Sequence, residues 1–277
     1  EGDTIHIANI KLRFAEDGLQ QTDTSGLRLD VVRLRKVVDK GKNLLQDLSL
    51  TIHPREFVAL VGTSGAGKST LLDAMNGFRP ATQGQVLVNG VDLYRHFDAY
   101  RTELGYVPQE DIMHRELTVH EALDYAAQLR MPSDTSPQER EQRINQVLHE
   151  LDLEQRRDLA IHRLSGGQRK RVSIGIELLT RPRLFFLDEA TSGLDPGTEL
   201  ELMNLLRQLT EDPQEGRTII LITHATKNVM LCDQVIFLTK GGYLAFFGPP
   251  DEALKYFDQY RSQEARRLKP DFEFDDI

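Results

Sequence analysis

Gly62-Thr63-Ser64-Gly65-Ala66-Gly67-Lys68-Ser69 is the stretch that decides the fold, because of what flanks it. Before it, Phe57-Val58-Ala59-Leu60-Val61 is an unbroken apolar run, the mark of a strand buried on both faces. After it, residues 70–76 read as a helix. Strand, glycine-rich loop and helix together make the phosphate-binding loop unit. Glycines let backbone N–H groups turn inward, and the helix N-terminus adds partial positive charge, so the loop makes an anion nest. The pattern sends Lys68 to the β- and γ-phosphates and the Ser69 hydroxyl to Mg²⁺, with Thr70 completing the nucleotide-binding set.

Outward from this loop, strands and helices alternate. Residues 86–88 and 105–107 read as short strands, and 109–164 as mainly helical. Thr118 with Glu121, and Ser136 with Glu139, are capping-box pairs, the second with Pro137 in the first helical position. Ile144, Val147, Leu148 and Leu151 then share one helical face. Helices follow at about 168–180 and 197–210, with strands at 184–187, 218–223, 235–238 and 243–247. This alternation predicts an α/β fold, a mostly parallel sheet flanked by helices. Residues 29–52 are strand-rich around the turn Asp39-Lys40-Gly41-Lys42-Asn43. Residues 1–28 differ: Ile5 and Ile7, then Ile10, Leu12 and Phe14, have hairpin periodicity, and 15–26 read as a polar linker.

With 277 residues, 39% hydrophobic and 28% charged, the chain can bury one large domain. Its longest apolar runs are strand-sized, far short of the roughly 20 residues a membrane-spanning helix needs. Direct membrane insertion of this segment is not expected. One cysteine, Cys232, fits a reducing compartment, and a net charge of −9 argues against nucleic acid as partner. The start Glu1-Gly2-Asp3, without methionine, basic residues or an apolar run, suggests a piece of a longer chain and no signal peptide.

Arg183-Leu184-Phe185-Phe186-Leu187-Asp188-Glu189 is a buried strand ending in two carboxylates. Such a strand delivers Asp188 to the carboxyl edge of the sheet, where Mg²⁺ would sit, and places Glu189 to polarise an attacking water. These motifs are shared by many nucleotide hydrolases. Leu164-Ser165-Gly166-Gly167-Gln168 narrows the field. Physically it is a serine N-cap and glycines opening a helix, a second anion site. Standing upstream of Asp188, it resembles the signature of the ABC ATPase family, and the resemblance covers roughly residues 29–250.

The resemblance implies a P-loop core with an antiparallel β subdomain and an inserted helical subdomain at about 112–160, all within 29–277. It makes ATP and Mg²⁺ the cofactors and ATP hydrolysis the reaction. Gln109, after Tyr106-Val107-Pro108, matches a glutamine that touches Mg²⁺ and the water; Ser192-Gly193-Leu194-Asp195 matches the D-loop; His224 matches the histidine that contacts the γ-phosphate. Glu189, His224 and Lys68 would be catalytic, and Ser69, Gln109 and Asp188 would hold the metal. Leu164 to Gln168 would act on the ATP of a second copy in a head-to-tail dimer. Residues 106–111, 116–123, 166–178 and 247–257 are most similar to the ABCG-like branch, in which a transmembrane domain follows in the same chain. That places this segment on the cytoplasmic side of a membrane, a bacterial inner membrane by resemblance, driving export, and ending just before the membrane part. The alternative, a soluble ABC ATPase on a ribosome or DNA machine, usually has tandem cassettes or a long coiled coil, and these residues show neither.

Two departures stand out. Val37-Val38 occupies the place where many members stack an aromatic residue on adenine, and Ala225-Thr226 follows His224 where ABCG-like proteins commonly have Gln-Pro. Finally, Gly2 to Ile7 and Ile10 to Phe14 resemble the last strands of a forkhead-associated domain, carried ahead of the ATPase by some bacterial ABCG-like transporters; a hairpin packed on the ATPase is the other reading.

Overall fold

The computed structural model describes residues 4–7, 10–15, 18–22, 26–38, 41–224, 226–269, 272–274 and 277, with side chains from residue 26 onward except 226, 264, 265 and 268. The six-stranded sheet at its centre has the order β13-β12-β6-β11-β10-β9. These strands are β6 (Phe57–Gly62), β9 (Leu104–Val107), β10 (Leu184–Leu187), β11 (Thr218–Ile222), β12 (Gln234–Thr239) and β13 (Tyr243–Gly248). All neighbours pair in parallel except β13, which runs antiparallel to β12.

Alternation along β6, β10 and β11 sends apolar side chains to both faces, as the unbroken apolar runs predict. Phe57, Ala59, Phe185, Leu187, Ile219 and Leu221 join one core with α3 (Val119–Arg130), α4 (Pro137–Glu150), α5 (Gly166–Leu178) and α6 (Pro196–Glu211). Val58, Leu60, Leu184, Phe186, Ile220 and Ile222 join a second core with α1 (Lys68–Met75) and an antiparallel sheet. Each fully buried Leu, Ile or Phe contributes about 1.5–3 kcal/mol, so a one-residue slip would misplace several such terms and the register is fixed.

The antiparallel sheet, ordered β5-β4-β7-β8, comprises β4 (Leu29–Val38), β5 (Lys42–Ile52), β7 (Gln83–Val88) and β8 (Val91–Asp92). It is the predicted β subdomain, and it leans on the glycine loop: a Cβ at Gly67 would lie 2.8 Å from the Leu44 carbonyl oxygen. Short α2 (Phe97–Tyr100) precedes β9. The predicted helical stretch holds α3 and α4, and both capping boxes form, Thr118 with Glu121 and Ser136 with Glu139.

The amino-terminal segment corrects one expectation. A third sheet contains β1 (Thr4–Ile7), β2 (Ile10–Ala15) and β3 (Gly18–Thr22), paired antiparallel in that order. Residues 18–22 are therefore a strand within the predicted linker. Gly18-Leu19-Gln20-Gln21-Thr22 is too polar to announce itself, but β pairing satisfies backbone groups whatever the side chains. Asp17-Gly18 was a readable turn signal. The side chains that carry the forkhead-associated resemblance lie outside the described residues.

Candidate active site

β6 ends in Gly62 at φ 146°, and Gly67 caps α1 at φ 100°, a left-handed geometry that suits glycine. Gly67 gives α1 no side-chain cap, and the first turn carries no acidic residue. The helix therefore presents unpaired N–H donors and its positive dipole end to the loop. Lys68 folds back over the loop, its Nζ donating to the carbonyl oxygens of Gly62 at 2.9 Å and Thr63 at 3.2 Å. Only 6% of Lys68 is exposed, and burial lowers its pKa, opposed by the nearby charges of Glu189 and Asp188. Among the described residues no carboxylate lies within ion-pair distance of it. A buried ammonium without a counter-ion is costly, and an anionic ligand resolves that cost.

β10 carries Asp188 to the same edge, where the Ser69 hydroxyl donates to Asp188 Oδ1 at 3.3 Å. Burial raises the Asp188 pKa, the Ser69 hydrogen bond lowers it, and the Glu189 charge raises it further. A hydroxyl beside a carboxylate is the hard-oxygen pair that Mg²⁺ takes when phosphate and water fill its remaining positions. The donor set therefore fits Mg²⁺–ATP.

Glu189 turns sharply out of β10 with φ 50°, the left-handed region, which costs a non-glycine residue of order 1 kcal/mol. That turn aims its carboxylate between two partners. Gln109 Nε2 donates to Oε2 at 2.9 Å, and His224 Nε2 lies 2.9 Å from Oε1. Gln109 follows β9 and His224 follows β11, the two strands flanking β10, so one sheet edge brings all three together. The Thr191 and Thr223 hydroxyls, 3.1 Å apart and buried, brace the two loops.

The structure thus joins Ser69 to Asp188, and Gln109 and His224 to Glu189, with Lys68 alongside. Gln109, expected from the resemblance to touch both Mg²⁺ and the water, here donates to Glu189. The signature residues stand on other elements. Ser165 caps α5 in a capping box with Gln168, an arrangement legible in the motif itself, while Leu164 is buried and Ser165 exposed. In the D-loop, Ser192 and Gly193 are exposed, and Asp195 caps α6 by accepting from the Gly197 and Thr198 N–H groups at 3.1 Å. Val37 and Val38 end β4, where Val37 N–H donates to the Thr82 hydroxyl at 2.9 Å.

Sequence reasoning missed Lys170. Only 6% exposed, it lies on α5 and donates to the Gln109 carbonyl at 2.7 Å. It reads in sequence as one more basic residue of Arg169-Lys170-Arg171, and only its position on the inner helical face could have marked it.

Comparison with known proteins places this geometry. The family model described as ABC transporter matches residues 45–192. The ABC transporter ATP-binding/permease protein Rv1747 of Mycobacterium tuberculosis is 42% identical over 259 residues, covering 91% of this chain and 29% of that protein. The mouse broad substrate specificity ATP-binding cassette transporter ABCG2 is 38% identical over 232 residues, covering 81% of this chain and 34% of its own length. The chain thus spans about a third or less of these relatives. Among solved structures, cbiO1 from Clostridium perfringens, part of the ABC transporter complex cbiONQ, superposes with TM-score 0.75 at 28% identity, covering 87% of this chain and 95% of that one. The ATP-binding cassette MJ0796, in a dimeric post-hydrolysis state bound to ADP and Pi, gives 0.69 at 26% identity, covering 80% and 98%. The chain belongs to the ABC transporter family, as an ATP-binding and ATP-hydrolysing domain.

Proposed function

We propose that this domain drives transport across a membrane by closing head-to-tail with a second copy around two ATP molecules. The observation that carries the reading is the buried Lys68, with no carboxylate within ion-pair distance among the described residues, beside the uncapped α1 N-terminus at the sheet edge that also holds Asp188 and Glu189. In this reading residues 62–70 cradle the phosphates, Ser69, Gln109 and Asp188 would hold Mg²⁺, and Gln109 would also touch the water. Bound Mg²⁺ supplies charge neutralisation on the β- and γ-oxygens.

Glu189 orients and polarises the attacking water, held in place by Gln109 and His224. His224 reaches the γ-phosphate, and Lys68 offsets charge there as it develops. Ser165 and Gly167, with Leu164, Gly166 and Gln168 shaping the turn, contact the ATP bound to the other copy, and residues 192–195 line the contact between copies. Residues 29–277 form the ATPase domain, and 1–28 an amino-terminal β segment and linker that joins it at Leu27, buried in the core shared with α1. The lobe at 112–160 passes motion to a transmembrane domain in the same full-length chain. The segment then lies on the cytoplasmic side of a membrane, a bacterial inner membrane, with export as the direction; the resemblance to ABCG-like proteins supports these assignments.

The test is Glu189→Gln. Removing the carboxylate that polarises water should abolish phosphate release and let Mg²⁺–ATP trap a dimer visible by size exclusion, while the wild-type chain stays mostly monomeric. A variant that hydrolyses ATP at the wild-type rate, or remains monomeric at saturating ATP, would refute the assignment.

A further inference from the structure

Between β9 and α3 the chain runs through a loop whose position decides whether Gln109 reaches Glu189. Met113 packs partly buried against the core at the far end of this loop, but Gln109 and Glu110 are exposed and Ile112 is 84% exposed, so near Gln109 the polar contacts do most of the holding. Among the described residues, the hydrogen bonds and ion pairs of segment 108–113 go to only three side chains. Glu189 accepts from Gln109 Nε2 at 2.9 Å. Lys170 Nζ donates to the Gln109 carbonyl at 2.7 Å and pairs with Asp111 Oδ1 at 2.9 Å. The Ser173 hydroxyl donates to the same Asp111 oxygen at 3.0 Å. Lys170 and Ser173 both belong to α5, the helix that begins with the signature.

Lys170 is an unusual anchor. An ammonium buried to this extent is unfavourable unless its charge is met, and here a carboxylate and a carbonyl meet it. A hydrogen bond to a main-chain carbonyl fixes the backbone of Gln109 itself, which a surface ion pair would not do. The path is continuous: the α5 N-terminus at Ser165, then Lys170 five residues on, then the Gln109 backbone, then the Gln109 side chain on Glu189.

We infer that Lys170 is a positioning residue for hydrolysis, setting the Gln109 main chain so that its amide holds Glu189, and tying that setting to α5. This rests on the proposed dimer, in which the α5 N-terminus meets the other copy's ATP while Gln109 serves the ATP of its own copy. Lys170 therefore links the two ATP sites through a single chain, and a shift of α5 on engaging one nucleotide moves the group that orients Glu189 at the other.

The test compares wild type, Lys170→Met, and the double variant Lys170→Met/Asp111→Asn, which removes both charges and leaves no carboxylate without its partner. Steady-state phosphate release gives kcat, KM and the Hill coefficient; fluorescent-nucleotide binding gives affinity; thermal melting reports folding. Displacing an orienting group by about 1 Å costs up to about 100-fold. Expected in both variants is a kcat fall of about 10- to 100-fold, ATP affinity within about threefold of wild type, and a Hill coefficient reduced toward one. Lys170→Arg, which keeps a cationic donor, should recover part of the lost kcat. If Lys170→Met does not fold, the double variant decides alone. A folded double variant with wild-type kcat and Hill coefficient overturns the inference. An equal loss of affinity and kcat also overturns it, since that marks a merely structural role. Glu189→Gln, run alongside, separates the two levels: a trapped dimer with an unaffected double variant defeats only this inference, and no trapped dimer defeats the functional reading beneath it.

Discussion

Replacing Gly167 by alanine tests whether the signature helix and the D-loop are packed as tightly as the structure holds them. A Cβ at Gly167 would fall 2.3 Å from the Thr198 methyl carbon, well inside van der Waals contact. Thr198 has little room to yield, because its hydroxyl donates to Asp195 Oδ2 at 2.6 Å while its N–H donates to Oδ1 at 3.1 Å. Rotating the methyl away withdraws the hydroxyl and loosens the α6 cap. Overpacking of this kind costs about 1–3 kcal/mol. Alanine returns up to about 1 kcal/mol of helix propensity, less at this end position. The net expectation is a destabilisation of about 1–2 kcal/mol, or roughly 2–8 °C in melting temperature for a domain of this size. Thr198→Ser removes the offending methyl and keeps the hydroxyl on Asp195, so Gly167→Ala/Thr198→Ser should recover most of the loss. Urea denaturation of the four proteins closes a double-mutant cycle with a coupling of about 1 kcal/mol or more. Additive effects, or a Gly167→Ala protein as stable as wild type, would refute the packing argument.

Two further expectations follow from charges. Burial raises the Asp188 pKa, so the ligand-free protein binds this proton more tightly folded than unfolded. Stability from this group is therefore highest below its unfolded pKa and declines as pH rises through the raised folded value. Asp188→Asn should melt above wild type at neutral pH without nucleotide, the gap closing toward pH 4, while Mg²⁺-dependent ATP binding is lost; a lower melting temperature at neutral pH would contradict the burial argument. Glu141 shows the opposite sign: hydrogen bonds from His120 and Arg157 hold its pKa down to about 2. Its contribution should persist down to the usual carboxylate range and disappear as pH falls from there to about 2. Because the pair is largely solvent-screened, Glu141→Gln should cost under about 1 kcal/mol at neutral pH, and a difference in urea midpoint that persists at pH 2 would defeat the assignment.

What could be read in the sequence follows from how locally each feature is encoded. The glycine loop, the strand ending in Asp188 and Glu189, and the Thr118 and Ser136 capping boxes lie within a few residues, and each takes its expected form. Gln109 and His224 were legible only as motif positions. Their meeting on Glu189 depends on the sheet order, which sets β9 and β11 on either side of β10. The left-handed turn at Glu189 and the burial of Lys170 carry no local signature, because both are imposed by tertiary packing. Strand β3 escaped for the opposite reason: its pairing is a backbone matter, and its polar side chains gave no period to find.

The two helix N-termini assigned to phosphate differ in a way that bears on how closure is driven. α1 has no side-chain cap and has the buried Lys68 beside it, so among the described residues its anion-binding capacity is unmet. α5 is partly capped, with Ser165 accepting from Gln168 N–H and the Gln168 side chain accepting from Ser165 N–H, which leaves the donors of Gly166 and Gly167 to the anion site. In the proposed dimer the loop would take ATP first, while the Ser165 hydroxyl, which accepts from the Gln168 N–H, keeps its own O–H to donate to the other copy's nucleotide. In that dimer α1 can bind its phosphates before closure, whereas α5 adds its donors only once a second copy is in place, so association is expected to depend on ATP.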